Sequence, residues 1–376
     1  MSRILILAND YKTIANFRME ILQALLGAGH SVELALPADE RNRVFEDMGC
    51  AVHPVDITRH GTNPLKEAKL LFAYRALLRK LRPDAVLTYT VKPNVYGSLA
   101  CRGRVPVINN VTGMGSVLQG GGMAAKLMLG LQKAALRRSE CVFFQNQGNL
   151  EAYREAGIVG DNAALLPGSG VNLELHGFVP YPGEETGLDF IIVSRLRQDK
   201  GFDELFAMLE RILPERRDVR FHIVGWVEEE AYQRRLDAWA SEPRLIYHGE
   251  TTQQEVHELI SRCHCLIHPS WHEGMANVLL EAAAAGRPCL ASDVPGCREP
   301  IENGVTGFTF RVKDPAALTA AVEALLACTP AQRAAMGAAG REKMVREFDR
   351  QIVADRYIQK INELTAQDRR QEHVPV

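Results

Sequence analysis

Short apolar runs rich in β-branched residues recur along the whole chain. Each is followed by a stretch in which apolar positions return every three or four residues. Runs of four to six read as strands buried on both faces, and the longer periodic stretches read as amphipathic helices. Regular alternation of the two predicts an α/β fold built on parallel sheets. In the first half the strands are expected at Ile4–Ala8, Ser31–Ala35, Ala51–Val55, Ala85–Thr88, Val105–Asn109, Cys141–Gln145 and Ala164–Leu166. A second series opens with LDFIIVSR (188–195) and continues through Arg220–Val224, Arg244–Tyr247, His264–His268, Cys289–Ala291 and Gly307–Phe310.

Between the two series lies GSGVNLELHGFVPYPGEETG (168–187), rich in Gly and Pro and poor in helical pattern. Such a composition reads as an interdomain linker. A chain of 376 residues is long for a single core, so two domains are expected. Three helical segments close the chain, and the residues from about Gln367 are polar and expected to fray. Two α/β domains of similar size would meet across a cleft, with ligands at the C-terminal ends of the strands that face it.

Composition narrows the class without naming a function. With 46% hydrophobic and 24% charged residues, both domains can bury sizeable cores. No run of 18 apolar residues occurs and the N-terminus enters a strand directly, so neither a spanning helix nor a secretory signal is expected. The eight cysteines form no CxxC pair and lie mostly in apolar stretches, which points to reduced core thiols in a cytoplasmic protein. Cys263, His264, Cys265, His268 and His272 crowd together, but a strand there throws His264 and Cys265 to opposite faces. No metal site is expected.

Charge is uneven along the chain. Residues 1–150 hold 19 Lys and Arg against 11 Asp and Glu, a net of +8. The remainder holds 25 against 35, a net of −10. The positive charge gathers on LKEAKLLFAYRALLRKLR (65–82) and around Lys126, Lys133, Arg137 and Arg138. Helices that interleave basic and apolar residues in this way lie on anionic membrane surfaces. They also occur as core-facing helices with a solvated basic back, and the pattern alone does not separate the two. No recognised binding motif accompanies the charge, which argues against nucleic acid.

Two segments of the second series carry candidate chemistry. VSRLRQDKGFDEL (193–205) sets Arg195 and Lys200 just past a strand's C-terminal end, where both cations can be aimed at a phosphate. HEGMANVLLEAAAAGRPCLASD (272–293) puts Glu273 in a loop and Glu281 about a turn inside a helix that starts near Ala276. The helix start between them offers free amides and the positive end of a dipole. Two carboxylates flanking an anion site suit a ligand with a sugar, a diphosphate and a ribose, which is a nucleotide sugar. Taken singly, each group has a plainer reading: Arg195 and Lys200 as solvated cations beside Asp199, and Glu273 as a helix cap.

Taken together, SRLxxDKG, HEGMANVLLEA and GRPCLASDVPGCREPIENGVTGF resemble the retaining glycosyltransferases of family 4. The resemblance is close over residues 160–310 and looser in the first half. It implies the GT-B fold, two Rossmann-like domains facing across a cleft. The division implied is an acceptor domain over 1–170, a linker over 171–187, a nucleotide-sugar donor domain over 188–350, and a final helix over 351–376 packing back on the first domain. Glu281 would then bind the ribose, Glu273 would sit at the donor sugar, and Arg195 and Lys200 would neutralise the diphosphate. Backbone amides around Met275, Ala276 and Asn277 would hold the sugar and diphosphate, with Gly225 and Gly249 near the base. The family usually has Pro where this chain has Ala276. No Asp-x-Asp metal motif is present, so no required metal or other cofactor is expected.

The first domain would hold the acceptor. TYTVKPNVYG (88–97) and NNVTGMGSVLQGGG (109–122) follow expected strands and resemble loops of bacterial enzymes that extend polyprenyl-diphosphate-linked sugars. Arg18, Lys92, Gly113 and Gly115 are the candidate diphosphate partners. The first loop, ANDYKTIANFR (8–18), lacks the paired glycines that many relatives use there. The expected activity is retaining transfer of a hexose or N-acetylhexosamine from a UDP-sugar to a lipid-linked glycan, at the inner face of the cytoplasmic membrane. The rivals are a sugar-nucleotide epimerase, a phosphorylase or another GT-B enzyme on the same architecture, and a non-catalytic sugar-nucleotide-binding or membrane-associated protein. A nicotinamide-dependent dehydrogenase would need GxGxxG after its first strand, and none is there.

Overall fold

A computed structural model of the protein describes residues 1–58, 63–113 and 123–371. The chain divides into two units: residues 1–169 with the segment from Arg350 onward, and residues 170–349. Each is built on its own parallel sheet. In the first unit the strands are β1 (Arg3–Leu7), β2 (Ser31–Leu36), β3 (Ala51–Pro54), β4 (Ala85–Tyr89), β5 (Val107–Val111), β6 (Cys141–Phe144) and β7 (Ala163–Leu165). They lie side by side in the order β3-β2-β1-β4-β5-β6-β7. The second unit has β8 (Leu188–Val193), β9 (Val219–Val224), β10 (Leu245–Gly249), β11 (Cys265–His268), β12 (Cys289–Ser292) and β13 (Gly307–Phe310), ordered β10-β9-β8-β11-β12-β13. Both orders reverse beside the first strand of the unit, at β1/β4 and at β8/β11. That is where open α/β sheets leave a crevice at the strand C-terminal ends.

Burial explains why these runs became strands. In β1, Ile4 to Leu7 are fully buried, and β4, β5, β6, β11 and β12 are buried along their whole length. Helices cover both faces of each sheet and complete separate cores. In the second unit the helix Phe202–Glu215 supplies Phe202, Leu205, Phe206, Leu209 and Ile212 to one face. The helix Asn277–Ala284 supplies Leu279, Leu280 and a run of alanines to the other. All eight cysteines are unpaired, and seven of them are buried.

One part of the expected division changes. Residues 171–187, expected as an interdomain linker, are strapped onto the second unit. Arg341 donates to the carbonyls of Leu173 and His176, Arg287 to that of Pro180, and Arg333 forms an ion pair with Glu184. Val171 donates to the carbonyl of Phe348, and Val179 to that of Ala285. Gly and Pro gave this segment the look of a linker, but side chains distant in sequence satisfy its backbone. The closing helix, Arg350–Gln371, belongs to the first unit, where Arg350 pairs with Glu20 at 3.0 Å and Tyr357 receives a hydrogen bond from Asn110. It remains helical past Gln367, where fraying was expected.

Candidate active site

In the second unit two loops leave the C-terminal ends of the neighbouring strands β8 and β11 and lock together. The first carries Arg195 to Gly201, the second Pro269 to Ala276. The Trp271 amide donates to the Asp199 carbonyl at 2.9 Å. Gly201 has φ of 75°, and a Cβ there would lie 2.1 Å from the Pro269 carbonyl oxygen, so only glycine allows this approach. A third loop, after β12, comes equally close. A Cβ on Gly296 would lie 2.7 Å from the Glu273 carbonyl oxygen, and the Ala276 amide donates to the Gly296 carbonyl at 2.8 Å.

This packing brings Lys200 and Glu273 together. Lys200 Nζ lies 2.5 Å from Glu273 Oε1, with both side chains largely buried. His268, at the end of β11, reaches the same oxygen at 3.0 Å. Burial acts to raise the Glu273 carboxyl, but the His268 hydrogen bond and the charges of Lys200 and His268 outweigh it and hold the carboxyl well below its usual range. A carboxylate depressed in this way contributes stability that is present above the ordinary glutamate range and is lost as pH falls through the lower folded value. Glu273 is therefore ionised at neutral pH.

The other expected donor-site residues divide. Glu281 stands in the second turn of the helix Asn277–Ala284, half-buried. The amide of Asn277 opens that helix, where no intrahelical acceptor exists for it, and its buried Oδ1 has no partner. Met275 is buried beside it. Gly225 is forced by close approach, since a Cβ would lie 1.9 Å from the Ser194 carbonyl oxygen, and its amide donates to Gly249 at 2.8 Å. The Ala276 amide donates to the Gly296 carbonyl at 2.8 Å in the ligand-free protein. Arg195 also differs from Lys200. It is part-exposed, paired with Glu228 at 2.7 Å, and it lies over the Trp226 ring. Its guanidinium is thus held by a carboxylate of its own, not gathered with Lys200.

The crowded histidines and cysteines each have separate duties. His264 accepts from the Asp189 amide at 2.9 Å and lies 3.0 Å from the Gly183 carbonyl. His268 meets Glu273, His272 lies 3.5 Å from Asp199, and Cys263 and Cys265 are buried in the core. Among the described residues no three such side chains converge as a metal site would require.

In the first unit two of the expected diphosphate partners are already engaged. Arg18 is 2% exposed, donates to Ser169 at 2.7 Å and lies over the Tyr89 ring. Lys92 pairs with Glu67 at 2.7 Å and reaches Thr58 at 3.3 Å. The chain supplies each cation with resting partners of its own from elements far away in sequence. Gly113 lines a cavity of about 20 Å³ with Thr90, Asn94, Thr112 and Gln132, room for one water. Gly115 lies outside the described residues. The residue that sequence reasoning missed here is Thr90. It follows β4 with φ of 72°, a costly conformation for a β-branched residue and the kind of strain that gathers at binding loops.

The geometry defines two Rossmann-like sheets, the second carrying a cation–carboxylate pair at its topological switch beside a helix start. The family description "Glycosyl transferase 4-like domain" matches residues 13–168, and "Glycosyl transferases group 1" matches residues 187–328. The chain belongs to these glycosyltransferase families and is a glycosyltransferase of the GT-B fold. It is 25% identical over 373 residues to N,N'-diacetylbacillosaminyl-diphospho-undecaprenol alpha-1,3-N-acetylgalactosaminyltransferase of Campylobacter jejuni, covering 95% of this chain and 97% of that one. Its fold is similar to sucrose-phosphate synthase of Thermosynechococcus elongatus (TM-score 0.78, 20% identity, 98% and 100% of the two chains). It is likewise similar to HepE of Anabaena solved with UDP and glucose (TM-score 0.79, 18% identity, 96% and 100%).

Proposed function

We propose that this glycosyltransferase moves a hexose or N-acetylhexosamine from a UDP-sugar to a polyprenyl-diphosphate-linked glycan, with retention of configuration, in surface polysaccharide or glycoprotein glycan assembly. The carrying observation is the Lys200–Glu273 pair on interlocked loops at the β8/β11 switch. Breaking the glycosidic bond loads negative charge onto the departing diphosphate. A preorganised ammonium, with the Asn277 helix start beside it, then gains more in the transition state than in the ground state. Arg195 joins by exchanging Glu228 for a phosphate oxygen. Glu273, held ionised, receives a donor-sugar hydroxyl, and Glu281 receives the ribose hydroxyls. The departing diphosphate helps to take the acceptor proton. These cations supply the neutralising charge, so no metal enters the scheme. The likeness to the Campylobacter enzyme supports the acceptor class, and the HepE likeness supports UDP.

Incubating the protein with a panel of UDP-sugars and polyprenyl-diphosphate glycans should give an extended lipid-linked glycan and free UDP only when both substrates are present. Isomerised UDP-sugar formed without acceptor would replace this reading with an epimerase. Glu281→Gln should weaken donor binding by about 10-fold or more, since a hydrogen bond to a charged group contributes about 1.5–3 kcal/mol. Unchanged donor affinity in calorimetry would remove Glu281 from the ribose.

A lipid-linked acceptor requires the enzyme to reach a bilayer, and we place it peripherally on the cytoplasmic face of the membrane. Among the described residues no helix is long and apolar enough to cross one. The helix Pro64–Leu81 instead exposes Leu65 (81%) and Phe72 (63%) among Lys66, Lys69, Arg79 and Lys80. On Met123–Leu136, Leu127 is 67% exposed beside Lys126. These faces suit insertion of apolar side chains beneath anionic headgroups, each nearby cation contributing about 1 kcal/mol. The protein should sediment with anionic vesicles and be released by high salt. Equal indifference to neutral and anionic vesicles would overturn the assignment.

A further inference from the structure

His268 ends β11 with its imidazole 4% exposed beneath the Lys200–Glu273 pair. Its Nε2 lies 3.0 Å from Glu273 Oε1, the same oxygen that Lys200 Nζ meets at 2.5 Å. Its Nδ1 is buried with no partner. An ionised carboxylate has no proton to give, so Nε2 carries the hydrogen and donates. Leaving Nδ1 unsatisfied costs free energy, and the compensation at this position is the bond to Glu273.

We infer that His268 is a positioning residue for Glu273, holding the carboxylate from its buried side when Lys200 turns to the donor diphosphate. The inference rests on the proposed donor site. In the ligand-free protein Lys200 neutralises Glu273. Once a diphosphate arrives, the ammonium is shared between two anions, and Glu273 meets a new negative neighbour. Repulsion of that kind turns a carboxylate aside or protonates it. The other ionisable groups on the packed loops are Arg195, Arg197, the Asp199–His272 pair, 3.5 Å apart, and on the loop after β12 Asp293, Cys297, Arg298 and Glu299. Glu299 accepts from the Gly296 amide at 2.7 Å. His268, on the buried side, is a donor that a bound diphosphate leaves in place. Ser270, 3.5 Å from Lys200, offers the ammonium a pivot beside the pair.

The test uses the full chain, with steady-state kinetics for donor and acceptor from about pH 5 to about pH 9. Loss of a supporting partner of a functional side chain costs about 10- to 100-fold. His268→Leu should lower kcat by that factor, leave the donor KM within about threefold, and move the acid limb of kcat to higher pH. His268→Gln, whose amide nitrogen reaches the position of Nε2, should restore most of kcat and return the limb. His268→Asn, whose amide reaches only the position of Nδ1, should not, and this pair decides the matter if the leucine variant fails to fold. Equal kinetics for the Gln and Asn variants, or an unmoved acid limb in the leucine variant, would overturn the inference. Glu273→Gln separates the two levels. If it leaves transfer intact, the donor-site reading fails; if it abolishes transfer while every His268 variant stays active, only the role of His268 fails.

Discussion

Lys200→Ala should lower the turnover of sugar transfer by about 10²- to 10³-fold, the usual cost of removing one preorganised charge-stabilising group. The side chain is placed for this by the turn Gln198–Lys200 and by the closure of its loop on Pro269 and Trp271. The substitution also strips Glu273 of its 2.5 Å partner, while the His268 contact to its carboxylate remains. Breaking a buried pair from one side costs about 3–5 kcal/mol, so stability should fall too. A double-mutant cycle separates the two effects. If Lys200 serves only to neutralise Glu273, adding Lys200→Ala to Glu273→Gln should change nothing further. If Lys200 engages the diphosphate, the second substitution should still cost turnover in that background. Asp199→Ala is the control, because its structural contact to Trp271 runs through the backbone carbonyl and survives the change. Equal losses for Lys200→Ala and Asp199→Ala would mean that this segment is only a structural loop.

Gly201→Ala should be comparably damaging for a different reason. Alanine at φ of 75° costs about 1 kcal/mol, and the added carbon would overlap the Pro269 carbonyl at 2.1 Å. A backbone oxygen cannot swing away as a side chain would, so the β8 and β11 loops must separate. The expected destabilisation is about 2–4 kcal/mol, read as a melting shift of roughly 5–10 °C for the second unit. Turnover should fall with it, because Lys200 is adjacent and would leave Glu273. Gly304 supplies the matched comparison. It has φ of 79° with nothing within 4 Å of its would-be Cβ. Gly304→Ala should cost about 1 kcal/mol and leave turnover unchanged. A stable, active Gly201→Ala protein would show that the loops do not need this close approach.

Thirteen strands were legible from apolar runs, because a strand buried on both faces by crossover helices is largely apolar, as Ile4–Leu7 and Cys265–Ile267 are. The loops after β8 and β11 were legible for a related reason. Residues just past a strand's C-terminal end reach the switch of a parallel sheet, so Arg195, Lys200 and Glu273 could be singled out by chain position. Partnership was not legible. Nothing local showed that Lys92 would meet Glu67, 25 residues earlier, or that Arg18 would be buried against Ser169. His268 was weighed only as a metal ligand, since alternation says which face a side chain takes and not what lies opposite.

By itself the sequence determined where the backbone would be helical or extended, and that two parallel sheets would form. Those features depend on continuous apolar runs and on a 3.6-residue periodicity, which are written into neighbouring positions. Tertiary structure decided which charges are paired: Lys200 with Glu273, Arg195 with Glu228, and residues 171–187 with Arg287, Arg333 and Arg341. The reason is distance along the chain. Strand order and loop closure bring together groups tens to more than a hundred residues apart, and short-range pattern carries no record of that placement.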